Sequence, residues 1–380
     1  MARRRKKNNM QSILTITLIY AVIIAAAVTW ITLGDVPTWS SDEGNFDKAQ
    51  QTGTFANLDA EYGVVGGVGI QIQQEDLPDI PDGSGEKRGA VFVINNMGLE
   101  LFSSGTSAGI RYANVINQYP QVLGDDVQVY NMVIPSHCAF AIPEKYSEMV
   151  ADQSVNIQAI CDALDPSVKG INIYPALRRH CDEYLYFNTD HHWTQLGAYY
   201  AYQYFCLSAN FTALELDDFE ERKIDSNFLG TLYSGTLDAG MASNPDTVYY
   251  YMPPGEYSMD IYTRTSPTVP YTTTMYNENV GGSSSYLAFI HGDNPLSVIK
   301  NEGQTNGRKI VVVKESYGNA FAPLLAYHYE EVHVVDQRYF TRNLNAYMEE
   351  NGIQEILVIN NIFAAHTGVR TDEVQQLLYN

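Results

Sequence analysis

Basic residues are scarce in this 380-residue chain. Against 44 Asp and Glu stand only 23 Lys and Arg, a formal charge of −21, or −26 once the five N-terminal bases Arg3, Arg4, Arg5, Lys6 and Lys7 are set aside. So acidic a chain lacks the counterion-release term that drives binding to phosphate backbones, which excludes nucleic acid as a partner and leaves the charge as that of a soluble acidic exterior. Metal spacings are missing too: there is no Cys-x-x-Cys and no His-Glu-x-x-His. The pairs His137-Cys138 and His180-Cys181 therefore read as buried or disulfide-forming thiols rather than ligands, and neither metal nor cofactor is expected. Four cysteines (Cys138, Cys161, Cys181, Cys206) allow one or two disulfides, and the spacing does not choose among the three complete pairings.

Charge of either sign is absent between Lys7 and Asp35. Within that gap Ile13 to Leu33 is an apolar run of 21 residues, about 31 Å at ~1.5 Å per residue, enough to cross a hydrocarbon core of ~30 Å. The run exceeds the usual apolar core of a signal peptide, roughly 7–15 residues, which favours an uncleaved anchor; the small residues Ala25 to Ala27 keep cleavage as the alternative. The basic cluster predicts that residues 1–12 stay in the cytoplasm, that 13–33 span the membrane, and that everything beyond lies outside the cell. Residues 34–88 hold eleven acids, three bases and Gly and Pro punctuation, as in DLPDIPDGSGEKRG. They read as a stalk, interrupted by the glycine-rich apolar piece Tyr62 to Ile72.

From Gly89 to the C-terminus strands and helices alternate. Ala90 to Ile94, Val127 to Ile134 and Tyr184 to Phe187 read as strands, with helices over Ser107 to Tyr119 and Pro143 to Leu164. After a Ser-, Thr-, Gly- and Tyr-rich insertion at about 209–306, the rhythm resumes. KIVVV (Lys309 to Val313), EVHVV (Glu331 to Val335) and EILVIN (Glu355 to Asn360) read as buried strands, separated by helices over Asn319 to Tyr329 and Asn343 to Asn351. This order implies an α/β domain over 89–380, a parallel sheet flanked by helices, with the insertion as a cap.

Two turns at strand ends carry the chemistry. In YLYFNTDHHWTQLGAYY (Tyr184 to Tyr200) an aromatic run ends in Asp190, His191 and His192, and Thr194 caps the helix that follows. A carboxylate next to an imidazole fixes its tautomer and stabilises the imidazolium, as a general base requires. The nucleophile is supplied by KESYGNAF, where Ser316 ends the KIVVV strand just before Gly318. A serine there is often a plain helix cap, but its pairing with an Asp–His turn at the same sheet edge favours nucleophilic chemistry.

At these residues the chain resembles the DHHW family and the SGNH-type O-acetyltransferases that modify exopolysaccharides, such as the alginate acetylation proteins. TDHHWTQLGA corresponds to their Asp-x-His-Trp-Thr pattern and KESYGNAF to their serine block. The resemblance implies a circularly permuted SGNH-hydrolase-like sheet in which Lys309 to Val313 is the first strand and Tyr184 to Asp190 the last. It implies His192 as base, Asp190 as its orienter and His191 as a substrate-side group or alternative base. Asn360 or Asn361 would stand at the oxyanion-hole asparagine and Arg338 in the second block. Glu315 replaces the family's usual Asp before the serine, keeping the charge on a longer arm.

The function so implied is O-acetylation of a cell-surface or exported polysaccharide through a seryl ester, by a membrane-anchored enzyme fed with acyl groups by a membrane-bound acyltransferase. Two alternatives stay open: a carbohydrate esterase using the same triad, and a non-catalytic surface protein that binds glycan through its tyrosine-rich insertion.

Overall fold

The structure is a computed structural model and describes residues 77–380. The expected cytoplasmic tail, the membrane-spanning run and most of the stalk lie outside the described residues. No helix among those described is long and apolar enough to cross a membrane.

Three short strands open the described chain. β1 (Glu86–Arg88), β2 (Val91–Ile94) and β3 (Met97–Glu100) form an antiparallel meander. Gly89 turns the first corner at φ 64°, and Asn95 and Asn96 turn the second at φ 50° and 61°, the paired left-handed geometry of a two-residue hairpin that asparagine tolerates. The strand expected at Ala90 to Ile94 is therefore real but belongs to this small sheet, and its first partner comes from the segment read as stalk.

The main sheet follows. Along the chain come helix α1 (Thr106–Ile116), β4 (Gln128–Ile134), helix α2 (Gln153–Ala163), β5 (Val168–Ile171) and helix α3 (Gln195–Ser208). Next are the hairpin β6 (Glu220–Phe228) and β7 (Asp246–Met252), then β8 (Tyr257–Thr263), β9 (Ser266–Thr273) and β10 (Leu296–Asn301). The chain closes with β11 (Lys309–Lys314), β12 (Glu331–Asp336), helix α4 (Leu344–Asn351), β13 (Glu355–Asn361) and helix α5 (Gly368–Gln376). Eight strands pair in the order β5-β4-β13-β11-β12-β10-β8-β9. The first five are mutually parallel, and β10, β8 and β9 add on antiparallel. Counted from β11 through β12, β13, β4 and β5, the parallel part reads 2-1-3-4-5, a doubly wound order whose switch point falls at the end of β11.

Burial on both faces explains the continuous apolar runs. Ile310 and Val312 of β11 face a core with Trp193, Phe205 and Phe321, whereas Val311 and Val313 face a second core with Tyr112, Ile160 and Leu344. Helix starts follow their caps: Asp152 accepts the amides of Ser154 and Val155, Thr194 that of Gly197, and Asn343 that of Ala346.

Three expectations need correction. Tyr184 to Phe187 is not a sheet strand; it makes only a single bridge, Tyr186 to Trp193. The fifth parallel strand is β5, whose sequence VKGI is too short and polar to announce itself. The insertion is not only a cap, because β8 to β10 extend the main sheet, and Pro267 and Pro270 block further pairing along the edge strand β9. Two long helices are also shorter than read. Pro323 converts all but the first turn of Asn319 to Tyr329 into a 3-10 segment, and Pro143 to Leu164 is a 3-10 turn followed by α2, restarted at Asp152.

At the end of β11 the side chain of Lys314 is 1% exposed and reaches Asp336 at 2.8 Å and Asp293 at 3.2 Å. Lys314→Met leaves two carboxylates without this cation, and the expected loss is ~3–5 kcal/mol in urea unfolding; a loss below about 1 kcal/mol would mean that Arg338 alone neutralises the pair.

Candidate active site

The acid–base loop is held by its own backbone. Around the Tyr186–Trp193 bridge, Phe187 donates its amide to the His192 carbonyl (3.2 Å) and Thr194 donates to that of Leu185 (2.9 Å). Asp246, 1% exposed, fixes the strand-side half: it accepts the amides of Asn188 and Thr189 and the hydroxyls of Thr189 and Tyr184. Burial pushes the Asp246 carboxyl up, and these four donors pull it back toward ionisation.

The tip of the loop meets the serine turn. Trp193 Nε1 donates to the Tyr317 carbonyl (2.8 Å), and the Tyr317 hydroxyl donates to the His191 carbonyl. From above, the Tyr286 hydroxyl donates to the Ser316 carbonyl (2.9 Å), and its ring stacks on His192 at 3.8 Å with 8° between planes. Gly318 lets the turn close, since a Cβ there would lie 2.4 Å from the Lys314 Cβ.

Ser316, His192 and Asp190 are thereby brought into one line. His192 Nε2 lies 2.8 Å from Ser316 Oγ, and Nδ1 lies 2.5 Å from Asp190 Oδ1. With the carboxylate as acceptor, the His192 proton sits on Nδ1, and Nε2 is free to accept the serine proton. The other oxygen of Asp190 accepts the Thr231 amide (2.8 Å) and hydroxyl (2.9 Å). Burial opposes ionisation of Asp190, but the two imidazoles and the Thr231 amide hold its carboxyl well below the usual range. Gly230 permits this approach, because a Cβ there would fall 2.3 Å from the Asp190 Cβ.

His191 stands beside the line. Its Nδ1 lies 2.6 Å from Thr231 Oγ1. Since that hydroxyl spends its single proton on Asp190, His191 carries its proton on Nδ1 and offers Nε2 as an acceptor. Burial and the neighbouring His192 push its pKa down. Glu315 lies under the turn, its carboxylate accepting the Asn361 amide at 3.0 Å and the Tyr317 amide at 3.2 Å, with Ser316 Oγ 3.3 Å away. The longer arm of glutamate thus bridges the ends of β11 and β13, and burial pushes its carboxyl up.

The other residues singled out in the sequence are placed differently. Asn360 is buried on the α1 side, donating to the Tyr112 hydroxyl at 3.3 Å. The Asn361 side chain caps the next helical turn at the Ala364 amide. Arg338 is bonded to Asp336 and Asp293. None of these three side chains is hydrogen-bonded to Ser316, His192 or Asp190. All four cysteines are unpaired. His137 is not grouped with other ligands: it stacks on Tyr186 (5.0 Å, 9°), and burial lowers its pKa to about 4. Among the described residues, ligand atoms close enough to hold a metal occur in Asp190, His191 and His192, all within 4.8 Å. Of these, Asp190 Oδ1 and His192 Nδ1 are engaged with each other, and His192 Nε2 with the serine. Sequence reading missed Thr231, Tyr286 and Asp246, which reach the site from the insertion with no local motif to mark them.

The site is thus a serine at the switch point of a doubly wound α/β sheet, with its histidine and aspartate on one loop at the same edge. The chain belongs to the DHHW family. The family model described as DHHW protein matches residues 78–335, more than half of the chain. The structure is similar to that of a DHHW family protein from Eubacterium siraeum, with a TM-score of 0.72 and 31% identity over 78% of this chain and 98% of that one. It also resembles Bacillus cereus PatB1, solved with a sulfonyl adduct, at a TM-score of 0.61 and 18% identity over 74% of this chain and 98% of PatB1. PatB1 without the adduct gives 0.61 and 19% over 76% and 99%. No curated protein matches the sequence significantly.

The depressed Asp190 pKa makes a prediction with a defined sign. Its contribution to stability is fully present above the ordinary carboxylate range and is lost as pH falls through the folded-state value. Thr231→Val removes one hydrogen bond to the ionised form and raises that value. The acid limb of the stability curve, followed by urea unfolding at successive pH values, moves to higher pH; an unmoved limb would show that the hydroxyl does not hold the carboxylate.

Proposed function

We propose that this chain is an O-acyltransferase that carries an acetyl group on Ser316 and delivers it to a polysaccharide hydroxyl. The observation that carries this reading is the unbroken Ser316–His192–Asp190 line at the switch point. His192 Nε2 takes the Ser316 proton as Oγ attacks the donor carbonyl, and Asp190 stabilises the imidazolium. The Ser316 amide has no acceptor among the described residues and is the backbone donor open to the developing oxyanion. Collapse gives the seryl ester while His192 returns the proton to the leaving group. An acceptor hydroxyl then gives its proton to His192, attacks the ester, and leaves with the acetyl group as Ser316 is reprotonated.

The choice of transfer over hydrolysis follows the family likeness, and the reading as a circularly permuted SGNH sheet follows the 2-1-3-4-5 order counted from β11. A polysaccharide acceptor places the domain outside the cell, in keeping with the run at 13–33 acting as a single-pass anchor and the basic cluster remaining inside. Acetyl groups would then reach Ser316 from a membrane-bound acyltransferase.

The test is covalent labelling of the full chain with a sulfonyl fluoride and peptide mapping, with hydrolysis of an aryl acetate and transfer to short glycans measured in parallel. The label is expected on Ser316. Ser316→Ala and His192→Ala should each reduce turnover on the order of 10³-fold or more, and Asp190→Asn by a comparable factor with the fold retained. Ser316→Ala with wild-type turnover would rule out the seryl ester. Glycan binding by a wild type with neither activity, undiminished in Ser316→Ala, would make the protein a binder.

A further inference from the structure

Glu100 is a carboxylate beside the site that this mechanism does not use. Glu100 ends β3, and β3 is docked on both segments that build the triad acid. The Gly98 amide donates to the Asn188 carbonyl at 2.8 Å, two residues before Asp190. A Cβ at Gly98 would lie 3.0 Å from the Cβ of Leu232, the residue after Thr231. Side chains alternate along a strand, so Leu99 is fully buried in the core while Glu100 shares the face of Gly98, one repeat further on. There it interacts electrostatically with His191, Asp190 and Glu315. Glu100 is half-buried, and among the described residues its carboxylate makes no hydrogen bond and no ion pair.

An unpartnered carboxylate beside three other titratable groups costs stability unless a substrate uses it. What it can use is restricted. An ionised carboxylate only accepts hydrogen bonds, and the neighbouring His191, protonated at Nδ1, presents Nε2, also an acceptor with no partner among the described residues. The wall they form is matched by groups that donate, hydroxyls and ammonium groups. It is mismatched to another carboxylate, which would meet Glu100, Asp190 and Glu315 together while the nearby cation, Arg338, is already bonded to Asp336 and Asp293.

We propose that Glu100, with His191, is a specificity-determining residue on the acceptor side of the site, selecting hydroxyls of neutral or amino sugars and rejecting uronates. This rests on the acyl-transfer reading. The donor's leaving group departs on the side from which the acceptor arrives, so the charge of a leaving group probes the same wall.

The experiment measures kcat/KM of the full chain for three aryl acetates: cationic 3-acetoxy-N,N,N-trimethylanilinium, neutral 4-nitrophenyl acetate and anionic 4-acetoxybenzoate. Each rate is divided by the ester's spontaneous hydrolysis rate, which removes differences in leaving-group reactivity. The expected order is cation above neutral above anion, with cation and anion separated by at least about tenfold at low salt and less at high salt. Glu100→Gln should shrink that ratio to about threefold or less, and Glu100→Asp should restore most of it. A purely structural Glu100 would change all three rates by one factor and leave the ratio fixed, and that result overturns the proposal. Should Glu100→Gln fail to fold, the wild type and Glu100→Asp decide: no charge order in the wild type overturns it equally. Ser316→Ala separates the two readings. Ester cleavage that survives Ser316→Ala, or no cleavage by the wild type even with short glycan acceptors present, defeats the acyl-transfer reading and this one with it. Serine-dependent hydrolysis without a charge order defeats this one alone.

Discussion

The bond from the Trp193 indole to the Tyr317 carbonyl, 2.8 Å long, joins two segments that share no strand pairing. The serine turn is fixed by the sheet, because β11 is paired on both sides and ends at the switch point. The Asp–His loop has no such support, being a turn closed by one bridge. Its position relative to the serine is set by side chains: the Trp193 indole and the Tyr317 hydroxyl from within the two segments, and Tyr286 from the insertion. Trp193 and Tyr317 are fully buried and Tyr286 nearly so, which makes these bonds rigid as well as specific. The tryptophan that follows the two histidines is thus a fastening of the site rather than part of its chemistry.

Electrostatics at the site follow from which carboxylates have donors. Asp190 is buried yet stays ionised because one oxygen faces His192 and the other the amide and hydroxyl of Thr231. Glu315 is as buried, but its donors are two backbone amides, and burial prevails. Glu100 has no hydrogen-bond donor among the described residues. The cations nearby are committed to Asp336 and Asp293, so the excess of acid in the composition persists locally around the serine.

Much of this was legible from residue order. The strands around Val311, Val334 and Leu357 announced themselves because burial on both faces demands uninterrupted apolar residues. Asp190, His192 and Ser316 were legible because their neighbours are diagnostic: a capping Thr194 after the histidines, and a Gly318 after the serine that only a tight turn requires. Other features were less legible, for physical reasons. Tyr184 to Phe187 has strand composition, but its aromatics pack in a core and one bridge is all its pairing. β5 is an edge strand of four residues containing Lys169 and Gly170, too weak a pattern to see. Asn360 has the residue type of an oxyanion donor, but side-chain alternation along β13 turns it toward Tyr112. The two carboxylate partners of Arg338, Asp336 and Asp293, come together only in space.

The sequence by itself determined the alternation of strands and helices, the acid balance, and the candidate residues Asp190, His192 and Ser316, since these depend on local periodicity and on turn chemistry that acts within a few residues. Only the tertiary structure decided which strands are neighbours, that β8 to β10 extend the sheet, that Thr231 and Tyr286 complete the site, and that Glu100 stands beside it without a partner. Those contacts join residues separated by tens to more than a hundred positions. No local propensity encodes them, because they exist only where the packing of two cores brings distant backbone segments to one sheet edge.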